Sequence, residues 1–227
     1  MVINGRDPSA LATTEGDLRA RGIDVVSVAG SMEDDATPSR LVEAAREHFG
    51  RIDHLVNTIG GPHFAGSFEV MDKAGLVDTV ALNTWPTLAL IQAALSGGLA
   101  EGGGSVVNIS SGAPRKTTPS MVAYAAAKAA LNALTRTIAA DLGPRGIRVN
   151  AVSPGLTKTS GTKGLWEADE GRDAGAKLAL GRLTEADDIA AAAAFLLSDD
   201  ARQITGVLLD VDGGNHLAGG WSPFRAT

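Results

Sequence analysis

The sequence predicts an α/β chain: a doubly wound parallel sheet with helices on both faces. Two observations carry that prediction. Short β-branched runs such as Ile23–Ala29 and Ile147–Val152 alternate with Ala- and Leu-rich segments of ten or more residues, the signature of βαβ units. Residues with chemistry to offer also recur where those runs stop: Asn57, Ser111 and Pro154 each stand at an expected strand carboxyl end. That is the edge at which open parallel sheets bind ligands.

In chain order, Val2-Ile3-Asn4 is a short apolar opening followed by Gly5-Arg6-Asp7-Pro8. Pro8 suits a helix's first turn, so Ser9–Arg21 is expected as helix, with Gly22 ending it. Ile23–Ala29 is a strand, and Asp34–Phe49 an amphipathic helix closed by Gly50. Ile52–Thr58 is a further strand. Gly75–Leu95 is a long helix in which Pro86 should kink the chain or start a new turn. Val106–Ser110 is strand, Met121–Leu142 helix, Ile147–Val152 strand, Glu185–Leu197 helix and Val207–Val211 the last strand. Gly102–Gly104 and Gly213–Gly220 read as turns.

At 227 residues the chain is expected to form one domain, residues 1–227. Apolar residues make up 44% and charged residues 20%, with a mean hydropathy of +0.07, as in a soluble globular protein. A net charge of −6 speaks against a nucleic-acid partner, which needs a basic face. The absence of cysteine removes disulfides and thiolate metal sites. His48, His54, His63 and His216 have no ligand spacing, so no metal is expected. No apolar run reaches membrane-spanning length and no secretory signal pattern opens the chain. A cytoplasmic protein with no membrane partner is the simplest expectation.

The chemistry concentrates in Ser110–Lys128. Tyr124 and Lys128 are four apart in an Ala-rich segment without Gly or Pro, helical by propensity and therefore on one helix face. Ser111 stands thirteen residues before Tyr124, where an apolar run meets Gly112 and Pro114. A phenol has an ordinary pKa of about 10, and a neighbouring ammonium is expected to pull it toward the working range. The serine hydroxyl can hold the oxygen that the phenol protonates. The Tyr-x-x-x-Lys pair alone is common by chance; the upstream serine at a strand end makes the set specific.

With these motifs the chain resembles the short-chain dehydrogenase/reductase family in its single-domain, Rossmann-like form, from Val2 to about Asn215. Asn57-Thr58-Ile59-Gly60 resembles the family's Asn-Asn-Ala-Gly element. Asn83 matches the helix asparagine that holds a water in the proton relay, and Ser111, Tyr124 and Lys128 match the rest of the catalytic tetrad. Pro154-Gly155-Leu156-Thr157-Lys158-Thr159 matches the segment that contacts the nicotinamide carboxamide and pyrophosphate, and Gly206–Gly214 the last strand and turn. The resemblance implies hydride transfer between a nicotinamide and a carbonyl or secondary alcohol. Tyr124 then moves the proton, Ser111 holds the oxygen, Lys128 lowers the phenol's pKa and binds the ribose, and Asn83 connects the site to water. It also implies cofactor contacts from Arg6, Ser31, Asn57, Gly60, Pro154, Gly155, Thr157 and Thr159. Gly5 occupies the place of the acid that binds a ribose 2′-hydroxyl, and Arg6 beside it suits a 2′-phosphate. NADP(H) is therefore expected over NAD(H), with Asp7 partly offsetting the Arg6 field.

The sequence also departs from the family. Its Thr-Gly-x-x-x-Gly-x-Gly turn, which brings backbone amides to the pyrophosphate, has no counterpart here. On this reading the chain starts at the family's second strand and lacks the usual first βα unit, roughly thirty residues. That unit's strand would lie between those begun by Val2 and Ile52. An upstream start is the favoured explanation, because the four catalytic positions and the Thr157 segment are intact; the chain as given is expected to bind NADP(H) poorly. Ser31 also replaces an aspartate at the adenine, and Thr58-Ile59 replace Asn-Ala.

A substrate lid is expected at about 159–182, with Leu165 and Trp166 over the substrate and Ala113, Met121, His63 and Phe64 lining the pocket. Residues 75–95 and 121–142, apolar on more than one face, are expected to pair copies into a homodimer or homotetramer. Two alternatives stay open: a non-enzymatic, cofactor-impaired relative, and an epimerase or dehydratase using the same tyrosine and lysine.

Overall fold

In a computed structural model of the chain, residues 1–99, 103–116, 118–168 and 173–217 are described. Gly102 and residues 218–220 of the expected turns, and residues 169–172 of the expected lid, lie outside them. The described elements are β1 (Val2–Gly5), α1 (Pro8–Ala20), β2 (Val26–Ala29), α2 (Thr37–Phe49), β3 (His54–Asn57), α3 (Lys73–Ser96) and β4 (Gly104–Ile109). They continue with α4 (Val122–Leu142), β5 (Ile147–Pro154), β6 (Thr157–Lys158), α5 (Lys163–Trp166), β7 (Thr184–Glu185), α6 (Ala186–Leu197) and β8 (Leu208–Val211).

Local chemistry sets the boundaries. Asp7 is the N-cap of α1, accepting from the Ser9 amide at 2.8 Å with Pro8 at the first position, as helix starts favour. Ile23 is expected in β2 but still closes α1: its amide donates to Leu18 O at 3.1 Å, and the Gly22 amide to Arg19 O at 2.9 Å, the Schellman pattern. The ladder therefore begins only at Val26. Gly50 (φ 73) ends α2 in the left-handed region. Pro86 neither ends nor restarts a helix, since α3 runs through it.

All ladders are parallel, and β3-β4-β5-β8 form a four-stranded sheet. Among the described residues β1 pairs with β2 alone, so the strands fall into separate sheets. A two-residue ladder, β6–β7, brackets the expected lid at its two ends and has too few residues to leave a sequence signal.

Alternation along β4 assigns its two faces. Val106 packs with Ile91, Ala94, Ala139 and Val149 under α3 and α4. Val107 packs with Val152, Ala193 and Leu196 under α6. A third cluster, Met32, Leu41 and Leu90, is packed by Val2 and Val28 from the small sheet and by Leu55 and Ile59 from the large one. The helix side of the molecule thus bridges the two sheets although no ladder does so among the described residues.

Arg148 fastens α6 to β5. Its guanidinium donates to Leu196 O at 2.6 Å and to Leu197 O and Ser198 O at 3.0 Å, satisfying carbonyls that a helix end leaves open. Arg148→Met keeps the aliphatic packing and strands those acceptors. It should cost about 2 kcal/mol, read as a lower urea midpoint at an unchanged m-value.

Candidate functional site

The site is built where β4 and β5 end. The Ser110 amide donates to Val152 O at 2.7 Å and the Gly112 amide to Pro154 O at 2.9 Å, which pins the Ser111 loop to the end of β5. Ser120 (φ 64), the one non-glycine with positive φ among the described residues, then turns the chain into α4. Residues without a glycine's freedom adopt this region at a cost of roughly 1–2 kcal/mol. One turn later α4 presents Tyr124, and a further turn presents Lys128. The buried row Ala123, Ala127, Leu131, Thr135 and Ala139 holds that face on the sheet.

The Ser111 hydroxyl lies near enough to the Tyr124 phenol to lower its pKa, and Ser111 Oγ accepts from the Ala113 amide at 3.1 Å. Lys128 is 3% exposed. Its Nζ donates to Ile109 O at 3.0 Å and Ile59 O at 3.5 Å and lies 5.8 Å from the Tyr124 ring centroid. Gly60 (φ 137) passes beneath the amine: a Cβ there would come within 2.8 Å of Lys128 Nζ and collide with Asn83 Oδ1. Asn83 accepts from the Gly61 amide at 3.2 Å and donates to Gly61 O at 2.8 Å and Thr79 O at 2.7 Å. Ser111, Tyr124, Lys128 and Asn83 therefore converge on one small volume. Asn83 ties α3 to the Gly60–Gly61 loop.

Burial governs both titrating groups. It raises the Tyr124 phenol above its ordinary value, with the Ser111 hydroxyl opposing, and lowers Lys128 to about 8. The expected pull of Lys128 on the phenol is not what dominates, because the amine is itself desolvated and directed at main-chain carbonyls. The phenol is protonated at neutral pH.

Along β5, the Gly155 amide donates to Val211 O at 3.2 Å, and a Cβ at Gly155 would stand 3.0 Å from Asp212 Cα, so the crossing with the β8 turn admits only glycine. Thr157 Oγ1 donates to Gly155 O at 3.1 Å. Thr159 is engaged with Thr162, hydroxyl to hydroxyl at 2.9 Å, in the cap of the next turn. Trp166 Nε1 donates to Thr159 O at 3.3 Å, folding α5 back on the segment, while Leu165 is 64% exposed. Ala113 and Met121 are half-buried at the two ends of the Ser111–α4 loop. Phe64 lies against Gly66 and Gly75.

Arg6 and Ser31 belong to the other sheet, at the ends of β1 and β2. Arg6 lines a cleft of about 780 Å³ with Ile3, Asn4, Asp7 and Leu11 and has no ion pair among the described residues. Ser31 Oγ accepts from the Glu33 amide at 3.2 Å. The structure does not bring these two to the tyrosine group. The donor set nevertheless suits an extended nicotinamide dinucleotide, with a guanidinium and a hydroxyl at one end and an amine and a phenol at the other.

A buried polar row beneath the site escapes a motif search. Asn57 Nδ2 donates to Asn108 Oδ1 at 2.8 Å, and Asn108 Nδ2 donates to Thr135 Oγ1 at 3.0 Å. Ser110 Oγ donates to Asn132 Oδ1 at 2.6 Å. The available signals were an asparagine inside an apolar strand, and Asn132 and Thr135 four and seven residues after Lys128. The histidines are engaged singly: His48 with Asp24, His63 with Glu33 and His216 with Asp212, and His54 with Ser105 Oγ. No described helix is long and apolar enough to cross a membrane.

Residues 3–216 match a family model described as enoyl-(acyl carrier protein) reductase. An uncharacterized oxidoreductase of Methylorubrum extorquens is 40% identical over 201 residues, 87% of this chain and 79% of that protein. A short-chain type dehydrogenase/reductase of Mycobacterium ulcerans superposes with a TM-score of 0.90 at 33% identity, over 96% of this chain and 81% of that one. A 7α-hydroxysteroid dehydrogenase complexed with NADH and a 7-oxo bile acid superposes at 0.88 with 29% identity, over 94% and 83%. The family model, the relative and the superposed structures agree: the chain belongs to the short-chain dehydrogenase/reductase family of NAD(P)-dependent oxidoreductases.

Proposed function

We propose that the protein interconverts a carbonyl compound and its secondary alcohol with NADP(H), and that Tyr124 is the general acid and base. The observation that carries this reading is the placement of the Ser111 and Tyr124 hydroxyls beside the buried Lys128 amine. The nicotinamide, when bound, supplies or takes the hydride. The chain's own residues handle the oxygen and its proton. Ser111 holds the substrate oxygen against the Tyr124 hydroxyl. Tyr124, protonated because burial raises its pKa, delivers its proton as the alcohol forms. Lys128, on two carbonyls at the strand ends, offers its remaining donor to a ribose hydroxyl. Asn83 fixes the Gly60–Gly61 loop that borders this space and leads toward water. Pro154, Gly155, Thr157 and Thr159 flank the carboxamide and pyrophosphate. Asn57 and Gly60 support the loop on the adenine side, and Ser31 faces the adenine.

The preference for NADP(H) rests on Arg6, which is exposed and without an ion pair among the described residues. A guanidinium reads a 2′-phosphate through charge-assisted hydrogen bonds. We also read the protein as a homodimer or homotetramer joined through α3 and α4, where Val77, Trp85 and Val122 are exposed apolar side chains.

Tyr124→Phe should lower kcat about a thousandfold with an unchanged circular dichroism spectrum; activity within tenfold of the parent would refute the assignment. Arg6→Ala should raise KM for NADPH about 10- to 100-fold and leave KM for NADH alone. Equal losses with the two cofactors would remove Arg6 from phosphate recognition. Lys128 gives a stability test that needs no turnover. Its folded pKa, about 8, lies below the unfolded value, so the unfolded chain binds more protons between about pH 8 and 10.5, and stability must rise through that window. Relative to Lys128→Met, the gain should be on the order of 3 kcal/mol. A pH-independent difference in urea unfolding would contradict it.

A further inference from the structure

The turn after β8 carries a buried carboxylate to which the proposed chemistry gives no role. Asp212 is 4% exposed. Its Oδ1 accepts from the Gly214 amide at 2.9 Å and its Oδ2 from the His216 amide at 2.9 Å. His216 Nδ1 lies 2.9 Å from Oδ2 and 3.1 Å from Oδ1. Burial pushes this carboxyl up, but the His216 and Gly214 donors outweigh it and hold it below the ordinary carboxylate value. The group is a fixed anion at neutral pH. Gly213 (φ 65) and Gly214 (φ 81) both adopt the left-handed region, and a pair of glycines has little shape preference of its own. The carboxylate supplies the constraint that the glycines lack.

Three segments from elsewhere in the chain lean on this turn. The Gly155 amide donates to Val211 O at 3.2 Å, and a Cβ at Gly155 would meet Asp212 Cα and Cβ at 3.0 Å. The Leu180 amide donates to Gly213 O at 3.0 Å, and a Cβ at Gly214 would stand 2.6 Å from that of Ala179. From the Ser111 loop, Arg115 pairs with Asp210 and Lys116 Nζ donates to Asn215 Oδ1 at 2.6 Å. The Ser111 loop, the Gly155–Thr159 segment and the Leu178–Arg182 end of the expected lid thus take their spacing from residues 210–216. Arg115 and Lys116 are exposed, and such surface contacts are worth little singly. Asp212 is the buried group that holds the turn to one shape.

We propose that Asp212 is a positioning residue, which through the β8 turn sets the place of Gly155–Thr159 against Ser111 and Tyr124. The proposal rests on the oxidoreductase reading above, in which this segment flanks the carboxamide. Asp212 touches Gly155 directly, so a turn that loses its carboxylate lets the segment shift toward or away from the tyrosine. Arg6, on the other sheet, is not moved. A misplacement of about 1 Å at reacting atoms costs roughly a hundredfold in rate. The signature is therefore a loss in kcat with little change in the KM for cofactor.

The test compares Asp212→Ala, Asp212→Asn and Arg148→Met with the parent. In amide hydrogen exchange of the cofactor-free proteins, residues 155–159 and 178–184 should exchange about tenfold faster in Asp212→Ala, and residues 104–109 of β4 should not change. With NADPH and butane-2,3-dione as the probe, Asp212→Ala should lower kcat about 10- to 100-fold while KM for NADPH stays within about twofold. Asp212→Asn keeps an acceptor for the Gly214 amide and loses the one for the His216 amide, so its kcat should fall between those of the parent and Asp212→Ala. Arg148→Met loses stability without touching the turn and should keep the parental kcat. Unchanged exchange at residues 155–159, or a kcat loss in Asp212→Ala no larger than in Arg148→Met, overturns the proposal. A parent and a Tyr124→Phe variant that do not differ with the probe instead refute the reading of the function, and the exchange rates then decide the role of Asp212 by themselves.

Discussion

The burial of one amine on two main-chain carbonyls ties this site to its fold. Lys128 Nζ bonds Ile109 O, the last residue of β4, and Ile59 O, just past β3. Both acceptors exist only because two parallel strands end at the same level. A buried ammonium without such partners would cost several kcal/mol; even with them its pKa falls to about 8. The amine needs the strand ends, and the loops beyond those ends need the amine. Gly60 must be glycine because Lys128 and Asn83 fill the space its Cβ would take.

The polar row beneath the site extends the same constraint into the sheet. Asn57, Asn108 and Thr135 run from β3 through β4 into α4, and hydrogen bonds between buried side chains on adjacent strands help to fix register. A one-residue slip of β3 against β4 would move Asn57 to the α6 face, separate the two amides and displace Ile59 O from Lys128. Strand register and the placement of the amine are one condition.

Much of this is legible in the sequence because it is periodic or local. Tyr124 and Lys128 share a helix face by spacing, Gly50 and Gly22 mark helix ends, and Pro154-Gly155 follows a β-branched run. The Lys128–Ile59 contact joins residues sixty-nine apart, and no local rule reaches that far. For the same reason the sign of the Tyr124 shift runs against the sequence-based expectation. Spacing shows that an ammonium is near, whereas the burial that outweighs it depends on everything packed above α4. Asp7, expected to offset the Arg6 field, also caps α1, a role its position before Pro8 and Ser9 makes readable. Trp166, expected over the substrate, donates to Thr159 O and so also braces the Thr157–Thr159 segment.

The two-sheet arrangement follows from which elements do the bridging. In a parallel sheet neighbouring strands are held by ladders and by the helices that cross them. Between β1 and β3 only the second kind of tie is present among the described residues: Leu41 of α2 and Leu90 of α3 gather Val2, Val28, Leu55 and Ile59 into one cluster. That cluster fixes the spacing of the sheets from below and leaves their facing edges and the Val56 side open. Arg6 and Ser31 are thus carried on a body coupled to the tyrosine site by side-chain packing, the His63–Glu33 ion pair and the Trp85–Asp35 hydrogen bond. Packing tolerates small sliding movements that a hydrogen-bonded ladder forbids. The spacing between the guanidinium end and the phenol end is therefore set by the Leu41–Leu90 cluster.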